Sequence, residues 1–460
     1  MRRLNVVLLV VDSLRARSLG DDPADRPATP FLDGLAASTV AFRRAHATEC
    51  WTLPTHMSMF TGLLPSEHGA HFQSMDYVGS APTIAEVLSA AGYFTEVVTR
   101  NTIFDGSLPG VTRGFAENRL VLSERSGGWN PVALGLALTK PRFRRQVRAS
   151  GFFHPLQREQ RDFLRRFSRA MMPADHETLA IVRRRMVEHR RARRPYFLFA
   201  NLYDVHAPYP PNGRSIFRRW DSVAATGENL TMPFVLPYLG GHAYLREGFA
   251  LSARSRRLLL GRYHDAIQLM DAKLAHFFAR LRGENLLDDT LVILTSDHGE
   301  AFGDHGLYLH DASVYQTHLH VPLYVHHPGL RPHAIDDVVS TRDLFGLMRA
   351  AASGTTLSGT ILDPSFRGEH PIAFAEHFHY PHARRMAPEF RQNLSAAVTA
   401  THKLIQRRDG ARLYDLHTDP DEQHPDAIGT ADLAAILAAT GVGTRAADDA
   451  AQQVAFAASA

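Results

Sequence analysis

The chain has 460 residues, of which 45% are hydrophobic and 21% are charged, and its formal net charge is +4. This composition is that of an ordinary globular protein and excludes a disordered chain, and so small a net charge excludes a protein that coats nucleic acid. The single cysteine, Cys50, excludes an internal disulfide and a thiolate metal site. The 26 histidines are the more informative feature, because several of them stand beside acidic residues.

The N-terminal segment predicts a buried strand. Residues 5–11 are β-branched residues and leucines, which is typical of a strand covered on both faces of a parallel sheet. Asp12 ends this run too early for a signal peptide, and no small-residue cleavage site follows. No segment approaches the roughly 20 apolar residues that a membrane span needs. We therefore expect a cytoplasmic protein with no stable membrane anchor.

Strands and helices then alternate along the chain. This alternation is typical of an α/β fold with a mostly parallel sheet sandwiched by helices. We expect residues 1–337 to form one large catalytic domain of this kind. Periodicity and composition predict helices at 30–37, 83–92, 157–171, 177–189 and 255–282, and strands at 95–99, 195–202, 290–295 and 321–325.

Three regions depart from the alternation. Residues 126–194 form an arginine-rich helical insertion, which we interpret as a solvated face, with binding of an anionic substrate or lipid headgroup as the alternative. Residues 338–430 predict a small α+β subdomain whose strands at 397–407 and 411–416 flank the turn Arg408-Asp409-Gly410. Residues 431–460 predict an alanine-rich tail with a short helix and a loose end.

Metal-binding or acid–base side chains follow several of the predicted strands. Asp12 ends the first strand, His206 follows another, Asp297 and His298 follow a third, and His310 comes shortly after. Any one of them could be structural, for example a helix cap or a surface loop residue. Because the carboxyl ends of parallel strands meet at one edge, together they indicate a ligand site. Carboxylates, imidazole and a hydroxyl suit Mn²⁺, Mg²⁺, Ca²⁺ or Zn²⁺.

The stretch 50–62 places a hydroxyl residue, Thr52, ahead of a proline, His56 and an apolar run that predicts a helix. At a helix N-terminus, free N–H groups and the macrodipole favour an anion, so this position suits a nucleophile or a bound phosphate or sulfate. The alternative is an N-cap followed by proline, which begins many helices. The remaining motifs decide between these interpretations.

Motifs along nearly the whole chain occur in the order and spacing of a known family. They lie at 5–12, 52–56, 61–69, 91–95, 204–209, 263–271, 289–300, 321–323, 403–405 and 413–420. Together they resemble the sulfatase family of the alkaline phosphatase superfamily. The resemblance implies a large α/β domain, a small C-terminal sheet domain, a divalent metal and a small-molecule anionic ester as substrate.

The sequence departs from the family pattern at the nucleophile. In sulfatases the motif reads Cys or Ser, any residue, Pro, any residue, Arg, and its first residue is oxidised to formylglycine. Counting back from Thr61 and Gly62, that position here is Thr52, and His56 replaces the arginine. Cys50 lies two residues too early, so we interpret it as a plain buried thiol.

Further departures concern the groups around the nucleophile. Ser13 stands where many sulfatases carry a second metal-binding aspartate. His310 lies near the position of the family's second active-site lysine, and Arg100 lies near that of the first. The resemblance thus implies a substrate-binding role for Arg100, His206 and His310.

These departures favour phosphorus over sulfur. A sulfated formylglycine hydrate can eliminate sulfate, whereas a threonine sulfate has no such route. A threonine phosphate can be attacked in line by water or an alcohol. Our hypothesis is that Thr52, ionised by a metal on Asp12, Asp297 and His298 and itself a ligand, attacks a phosphate or phosphonate ester, with phosphodiesters favoured.

Histidines would complete this chemistry. His206 and His310 would hold the phosphoryl oxygens or protonate the leaving group, because an imidazole titrates near neutrality. His56 would orient Thr52 or contact the anion. One metal site is favoured, and a second on His206, His310 and a carboxylate such as Asp204 stays open.

Two other functions stay open at this point. One is a sulfate ester hydrolase that works without formylglycine, and the other is a catalytically silent sulfatase-like binding protein. Hydrolysis as opposed to transfer to an alcohol, the natural substrate and a homo-oligomeric state are also open. We expect no nucleic-acid partner.

Overall fold

The structure is a computed structural model that describes residues 2–19, 26–121, 175–207, 209, 251–310, 312–379 and 391–428. The predicted helix at 157–171, the tail at 431–460 and much of the insertion lie outside these ranges. The strands are β1 (Asn5–Val11), β2 (Val40–His46), β3 (Phe94–Thr99), β4 (Glu117–Leu120), β5 (Tyr196–Leu202), β6 (Thr290–Thr295), β7 (Ala301–Phe302), β8 (Tyr308–Leu309), β9 (His320–His326), β10 (His333–Ser340), β11 (Ala373–His377), β12 (Leu394–Val398), β13 (His402–Arg407), β14 (Gly410–Asp415) and β15 (Asp426–Ile428).

The α-helices occur where an amphipathic or fully apolar run is bounded by residues that start or stop a helix. One end is marked by the left-handed Gly62, whose φ is 75°, and another start by Thr83, whose hydroxyl accepts the Glu86 N–H. The helices are α1 (Pro30–Leu35), α2 (Thr52–Thr61), α3 (Pro65–His68), α4 (Ile84–Ala90), α5 (Asp175–Arg191), α6 (Ala253–Gly283), α7 (Gln316–Leu319), α8 (Leu344–Ser353) and α9 (Pro364–Glu369).

The larger sheet has eight strands in the order β10-β2-β9-β6-β1-β5-β3-β4. Among these described strands, β9 alone runs antiparallel to its neighbours. Alternate residues of the central strand β1 enter two apolar layers, one shared with α2, α4 and α8 and the other with α1, α5 and α6. The predicted α/β fold with a mostly parallel sheet between helices is therefore confirmed.

The order of the central strands brings four carboxyl ends together. Strand β1 pairs in parallel with β6 on one side and with β5 on the other, and β5 pairs with β3. In this register Val10 lies opposite both Asn201 of β5 and Thr295 of β6. Residues that end these strands consequently lie side by side along one edge of the sheet.

A second sheet of five antiparallel strands, in the order β11 to β15, follows in the C-terminal part of the chain. It confirms the predicted small C-terminal sheet, and Arg408 and Asp409 form the turn between β13 and β14. The single strand predicted at 397–407 is wrong, because residues 399–401 turn between β12 and β13. Strands β2, β10 and β11 carry weak apolar patterns and were missed.

The arginine-rich helix α5 makes specific contacts within the fold. Arg183 binds Glu284, and Arg185 reaches the fully buried Glu96, while Arg184 lies exposed. The interpretation of this helix as a merely solvated face is wrong for those two arginines, since their charges pair with other elements. In the described parts of the chain, no helix combines the length and apolar character that a membrane crossing requires.

Candidate active site at the edge of the large sheet

Three buried side chains from two neighbouring strands meet at the carboxyl edge. Asp12 follows β1, and Asp297 and His298 follow β6. One potential ligand atom from each lies within 4.8 Å of the others, and none of the three side chains is exposed to solvent. His298 Nε2 is 3.4 Å from Asp297 Oδ2 and 3.8 Å from Asp12 Oδ1. Three of the four residues predicted to bind a metal are therefore adjacent in the fold.

Neighbouring groups hold these carboxylates in fixed orientations. Asp12 Oδ2 accepts hydrogen bonds from the side-chain amides of Asn201, at 3.1 Å, and Asn101, at 3.3 Å. Ser13 donates its hydroxyl to Asp12 Oδ1 and its backbone N–H to Asp297 Oδ1. Ser13 thus cross-links the two carboxylates from a left-handed backbone conformation with φ of 65°. Such support fixes metal ligands in place.

Two atoms in this group lack a partner among the described residues. Asp297 Oδ2 and His298 Nε2 are buried and accept no hydrogen bond. The His298 Nδ1–H donates to the Gly299 carbonyl at 2.9 Å, and since a carbonyl only accepts, Nε2 carries the free lone pair. Buried acceptors without a donor are costly, so the donor set fits a divalent cation bound between them.

The charges of these three side chains also favour a bound cation. Burial and the neighbouring Asp12 raise the pKa of Asp297 well above its usual range. Burial would also raise the pKa of Asp12, but His206, His298 and His310 outweigh it and lower that pKa. Burial and His310 lower the pKa of His298, which keeps its ring neutral. Two buried carboxylates beside a neutral imidazole form an anionic site that a cation would neutralise.

Thr52 is the first residue of α2 and is only 4% exposed. The helix is fixed by His56, whose Nδ1–H donates to the Thr52 carbonyl at 2.7 Å and lies 3.7 Å from Asp297 Oδ2. Asn201 donates to His56 Nε2 at 3.5 Å, and burial lowers the pKa of His56 to about 4. A neutral His56, one helical turn after Thr52, therefore holds the Thr52 carbonyl while its own ring lies beside Asp297.

His206 and His310 form the outer wall of the site. Their ring centroids are 4.9 Å apart, and the His310 ring lies 4.4 Å from that of His298. The His310 Nδ1–H donates to Glu300 Oε1 at 2.9 Å, and Tyr209 donates its hydroxyl to Glu300 Oε2 at 2.7 Å. Glu300 thereby orients His310 so that its Nε2 points away from the carboxylate. Burial raises the pKa of Glu300 to about 6.

Other predicted residues lie elsewhere. Arg100 follows β3, but the amide that reaches Asp12 from this strand end belongs to the next residue, Asn101. Asp204 Oδ2 pairs with Lys273 Nζ at 2.5 Å, and a second metal on Asp204, His206 and His310 stays a prediction. Within the described chain, no hydrogen bond joins the Thr52 hydroxyl to the three metal-type ligands.

Sequence reasoning missed three buried polar residues of this site, which are Asn101, Asn201 and Glu300. Asn201 is the next-to-last residue of a run that is otherwise typical of a buried strand, and this polar interruption was a usable signal. Glu300 ends the motif at 289–300, and the sequence analysis assigned it no role of its own. Asn101 carried no comparable signal, because it lies in a polar loop after β3.

Comparison with known proteins gives one family and a consistent fold. A family model described as Sulfatase matches residues 4–353. The choline-sulfatase of Rhizobium meliloti (strain 1021) is 25% identical over 340 residues, 71% of this chain but only 63% of that protein. The multifunctional alkaline phosphatase superfamily protein PehA of Trinickia caryophylli is 26% identical over 368 residues, 73% of this chain and 70% of that protein. The solved phosphonate monoester hydrolase SpPMH from Silicibacter pomeroyi is 19% identical and superposes with a TM-score of 0.64 over 95% of this chain and 94% of that one.

Proposed function

Because the chain belongs to the sulfatase family, we propose that it is a metal-dependent hydrolase or transferase of phosphate or phosphonate esters, with phosphodiesters as the favoured class. Family membership confirms the resemblance drawn from the motifs. The observation that carries the proposal is the buried group of Asp12, Asp297 and His298, with its two unpartnered acceptor atoms. A purely structural site would have no use for such atoms.

In this proposal Asp12, Asp297 and His298 hold one divalent cation, with the Thr52 hydroxyl as a further ligand. Such a cation supplies Lewis-acid stabilisation of the charge on the nucleophile and the phosphoryl oxygens when it is bound. Ser13 keeps the two carboxylates in register through its hydroxyl and its N–H. His56 holds the first turn of α2 so that Thr52 stays at the site.

Catalysis would proceed by two in-line displacements. The Thr52 oxygen, after losing its proton to solvent, attacks phosphorus, and the new Thr52 O–P bond forms as the ester O–P bond breaks. The departing alkoxide takes the proton of His310 Nε2, while Glu300 stabilises the imidazolium through Nδ1. Water or an alcohol then attacks the phosphothreonine, returns its proton to His310 and releases Thr52.

His206 would bind one of the phosphoryl oxygens beside His310. Its ring lies against Tyr203, with centroids 4.2 Å apart, and its Nδ1–H donates to the Ala207 carbonyl. Because Nδ1–H is used by this carbonyl, His206 would bind a phosphoryl oxygen through Nε2–H as the imidazolium, and Nε2 lies 3.4 Å from the Tyr203 hydroxyl. Arg100 stays a proposed substrate ligand on the basis of its place after β3.

A threonine nucleophile is the reason to favour phosphorus. It lacks the second hydroxyl through which a formylglycine hydrate eliminates sulfate, so a threonine sulfate would persist. The printed names of two similar proteins support this choice: PehA is a multifunctional alkaline phosphatase superfamily protein, and SpPMH is a phosphonate monoester hydrolase. The choline-sulfatase favours the second candidate, a sulfate ester hydrolase that works without formylglycine.

An ester panel tests the proposal. The purified protein, loaded with Mn²⁺ or Zn²⁺, is assayed with aryl phosphodiester, aryl phosphonate and aryl sulfate substrates. We expect phosphodiester or phosphonate turnover to exceed sulfate turnover, and Thr52→Ala to abolish it, while Thr52→Ser retains part because it keeps a hydroxyl. Sulfate turnover above the other two would establish the second candidate, and no turnover of any ester would favour a silent binding protein.

A further inference from the structure

A second buried group lies directly ahead of Thr52. Glu49, Cys50 and His377 place one polar atom each within 4.8 Å of one another, and all three are at most 2% exposed. Glu49 Oε1 accepts the Cys50 N–H at 2.8 Å and the His377 Nδ1–H at 3.0 Å. Glu49 Oε2 accepts the Trp51 indole N–H at 3.0 Å. Glu49 and His377 are 328 residues apart in the chain.

This group differs from the one at Asp12 and does not have the character of a metal site. Both oxygens of Glu49 already accept N–H donors, and the Nδ1 of His377 is itself a donor, because a carboxylate only accepts. At Asp297 and His298, by contrast, two buried acceptors have no partner among the described residues. The Glu49 group is therefore a closed hydrogen-bonded link between the segment ahead of α2 and strand β11.

Strand β11 also contacts the chain on both sides of α2. Its Glu376 N–H donates to the Thr48 carbonyl at 2.9 Å. The Glu376 carboxylate accepts both the N–H and the hydroxyl of Ser66 in α3, each at 2.8 Å. Adjacent residues of one edge strand thus bind the segments on both sides of the helix that begins at Thr52. We call Glu376 and His377 the β11 clamp.

We propose that the β11 clamp positions the Thr52 nucleophile, so that the small C-terminal sheet is part of the catalytic apparatus of the large one. This inference rests on the proposed role of Thr52. The His377 ring turns Glu49 inward, Glu49 fixes the backbone at Cys50 and the indole of Trp51, and Thr52 is the next residue. His377 is a positioning residue, since it acts through Glu49 and touches neither Thr52 nor the carboxylates of the metal site.

Removing the His377 donor should displace the start of α2. Glu49 would keep two donors from its own segment but lose the one that ties it to β11. A fully buried carboxylate then gains by turning toward water, and the backbone that precedes Thr52 moves with it. Because a displacement of about 1 Å at a reacting group can cost about 10²-fold in rate, kcat should fall strongly. KM should change little, because His206 and His310 are unaffected.

The test compares His377→Ala with His377→Asn, whose side-chain amide can donate from the position of Nδ1. On the ester that the panel identifies, we expect kcat of His377→Ala to fall by about 10²-fold and His377→Asn to recover most of the loss. Bound metal should equal that of the unaltered protein in both. His402→Ala, on β13 of the same sheet, is the matched control and should keep full activity.

Cys50 supplies a second readout that does not depend on catalysis. It is the single cysteine of the chain, it is fully buried, and its Sγ lies 3.7 Å from His377 Nδ1. The rate at which a thiol reagent labels it therefore reports opening at the clamp. We expect His377→Ala to accelerate labelling at least 10-fold, and His377→Asn to label like the unaltered protein.

The outcomes separate the two proposals. Full activity in Thr52→Ala would overturn the proposed nucleophile, whereas the labelling rates would still test the link between β11 and Cys50. Unchanged kcat and unchanged Cys50 labelling in a folded His377→Ala would overturn the clamp. Equal losses in His377→Ala and His377→Asn would also overturn it, since the donor would then be irrelevant.

Discussion

Replacing Asp297 by asparagine separates the charge of the proposed metal site from its backbone hydrogen bonds. Asp297 Oδ1 accepts N–H groups of Ser13 and His298, at 3.1 and 2.9 Å, and an amide oxygen can accept both. Oδ2 accepts no hydrogen bond from the described residues, and burial together with Asp12 raises the pKa of Asp297. The substitution therefore removes a disfavoured buried charge while it keeps the contacts that shape the turn.

The expected effect has opposite signs with and without metal. In the metal-free protein, the raised pKa means that folding costs free energy at Asp297, either to bind a proton or to keep the charge beside Asp12. Asp297→Asn removes that cost, so its free energy of unfolding should equal or exceed that of the unaltered protein. With a cation at 100 times its Kd, the unaltered protein gains about 2.7 kcal/mol. For a chain of 460 residues, an unfolding entropy of about 2.1 cal/mol/K per residue converts each kcal/mol into about 1 °C, so this gain corresponds to a rise in Tm of about 3 °C. The variant should gain almost nothing.

Thermal unfolding after chelation and after addition of Mn²⁺ or Zn²⁺ measures these differences, with bound metal determined on the same samples. Asp204→Asn is the matched control, because it alters a buried aspartate that binds Lys273. It should lower stability in both states and keep the metal-induced rise in Tm. A full metal-induced rise in Asp297→Asn would refute the ligand assignment, and loss of the rise in Asp204→Asn would mean that Asp204 binds metal.

Two further predictions concern His318 and Gly299, whose backbones are joined by a hydrogen bond from the Gly299 N–H to the His318 carbonyl. Burial lowers the pKa of His318 from 6.5 to about 4, so below pH 6.5 the unfolded chain binds a proton that the folded protein does not. The free energy of unfolding should therefore fall by about 1.4 kcal/mol per pH unit between pH 6.5 and 4 because of this residue. Urea unfolding at several pH values measures this, and His318→Gln with the same dependence of stability on pH would contradict the prediction. A Cβ at Gly299 would lie 2.0 Å from the Thr317 carbonyl oxygen, so Gly299→Ala should lose bound metal. Gly283→Ala is the control, because an added Cβ there has no atom within 4 Å, and it should retain metal. Bound metal in Gly299→Ala equal to that of the unaltered protein would contradict the prediction.

The residues at strand ends were predictable from the sequence because a parallel sheet converts chain position into spatial position. Asp12 and Asp297 end apolar runs, and any parallel pairing of β1 with β6 brings them together. His298 follows by adjacency. This prediction did not require the order of the strands in the sheet, since the carboxyl ends of all parallel strands lie on the same edge.

The supporting residues could not be predicted in the same way. Asn201 lies inside β5, and its role depends on the pairing of β5 with β1, which no local pattern specifies. The link between Glu49 and His377 depends on how the small sheet docks on the large one. Strand β11, which carries His377, has only a short apolar run and was not predicted. Contacts between sheets depend on tertiary packing, whereas strand ends depend on local sequence.

The placement of Cys50 bears on the choice of nucleophile. The Cys50 thiol lies in the core beside His377, on the side of the segment that faces the small sheet. Thr52 lies two residues later, where α2 begins, and His56 of the same helix lies 3.7 Å from Asp297 Oδ2. Oxidation of Cys50 to formylglycine would put an aldehyde against β11 and not at the metal-type ligands. This placement supports our proposal that the hydroxyl of Thr52 acts as it stands, as the proposed phosphoryl chemistry requires.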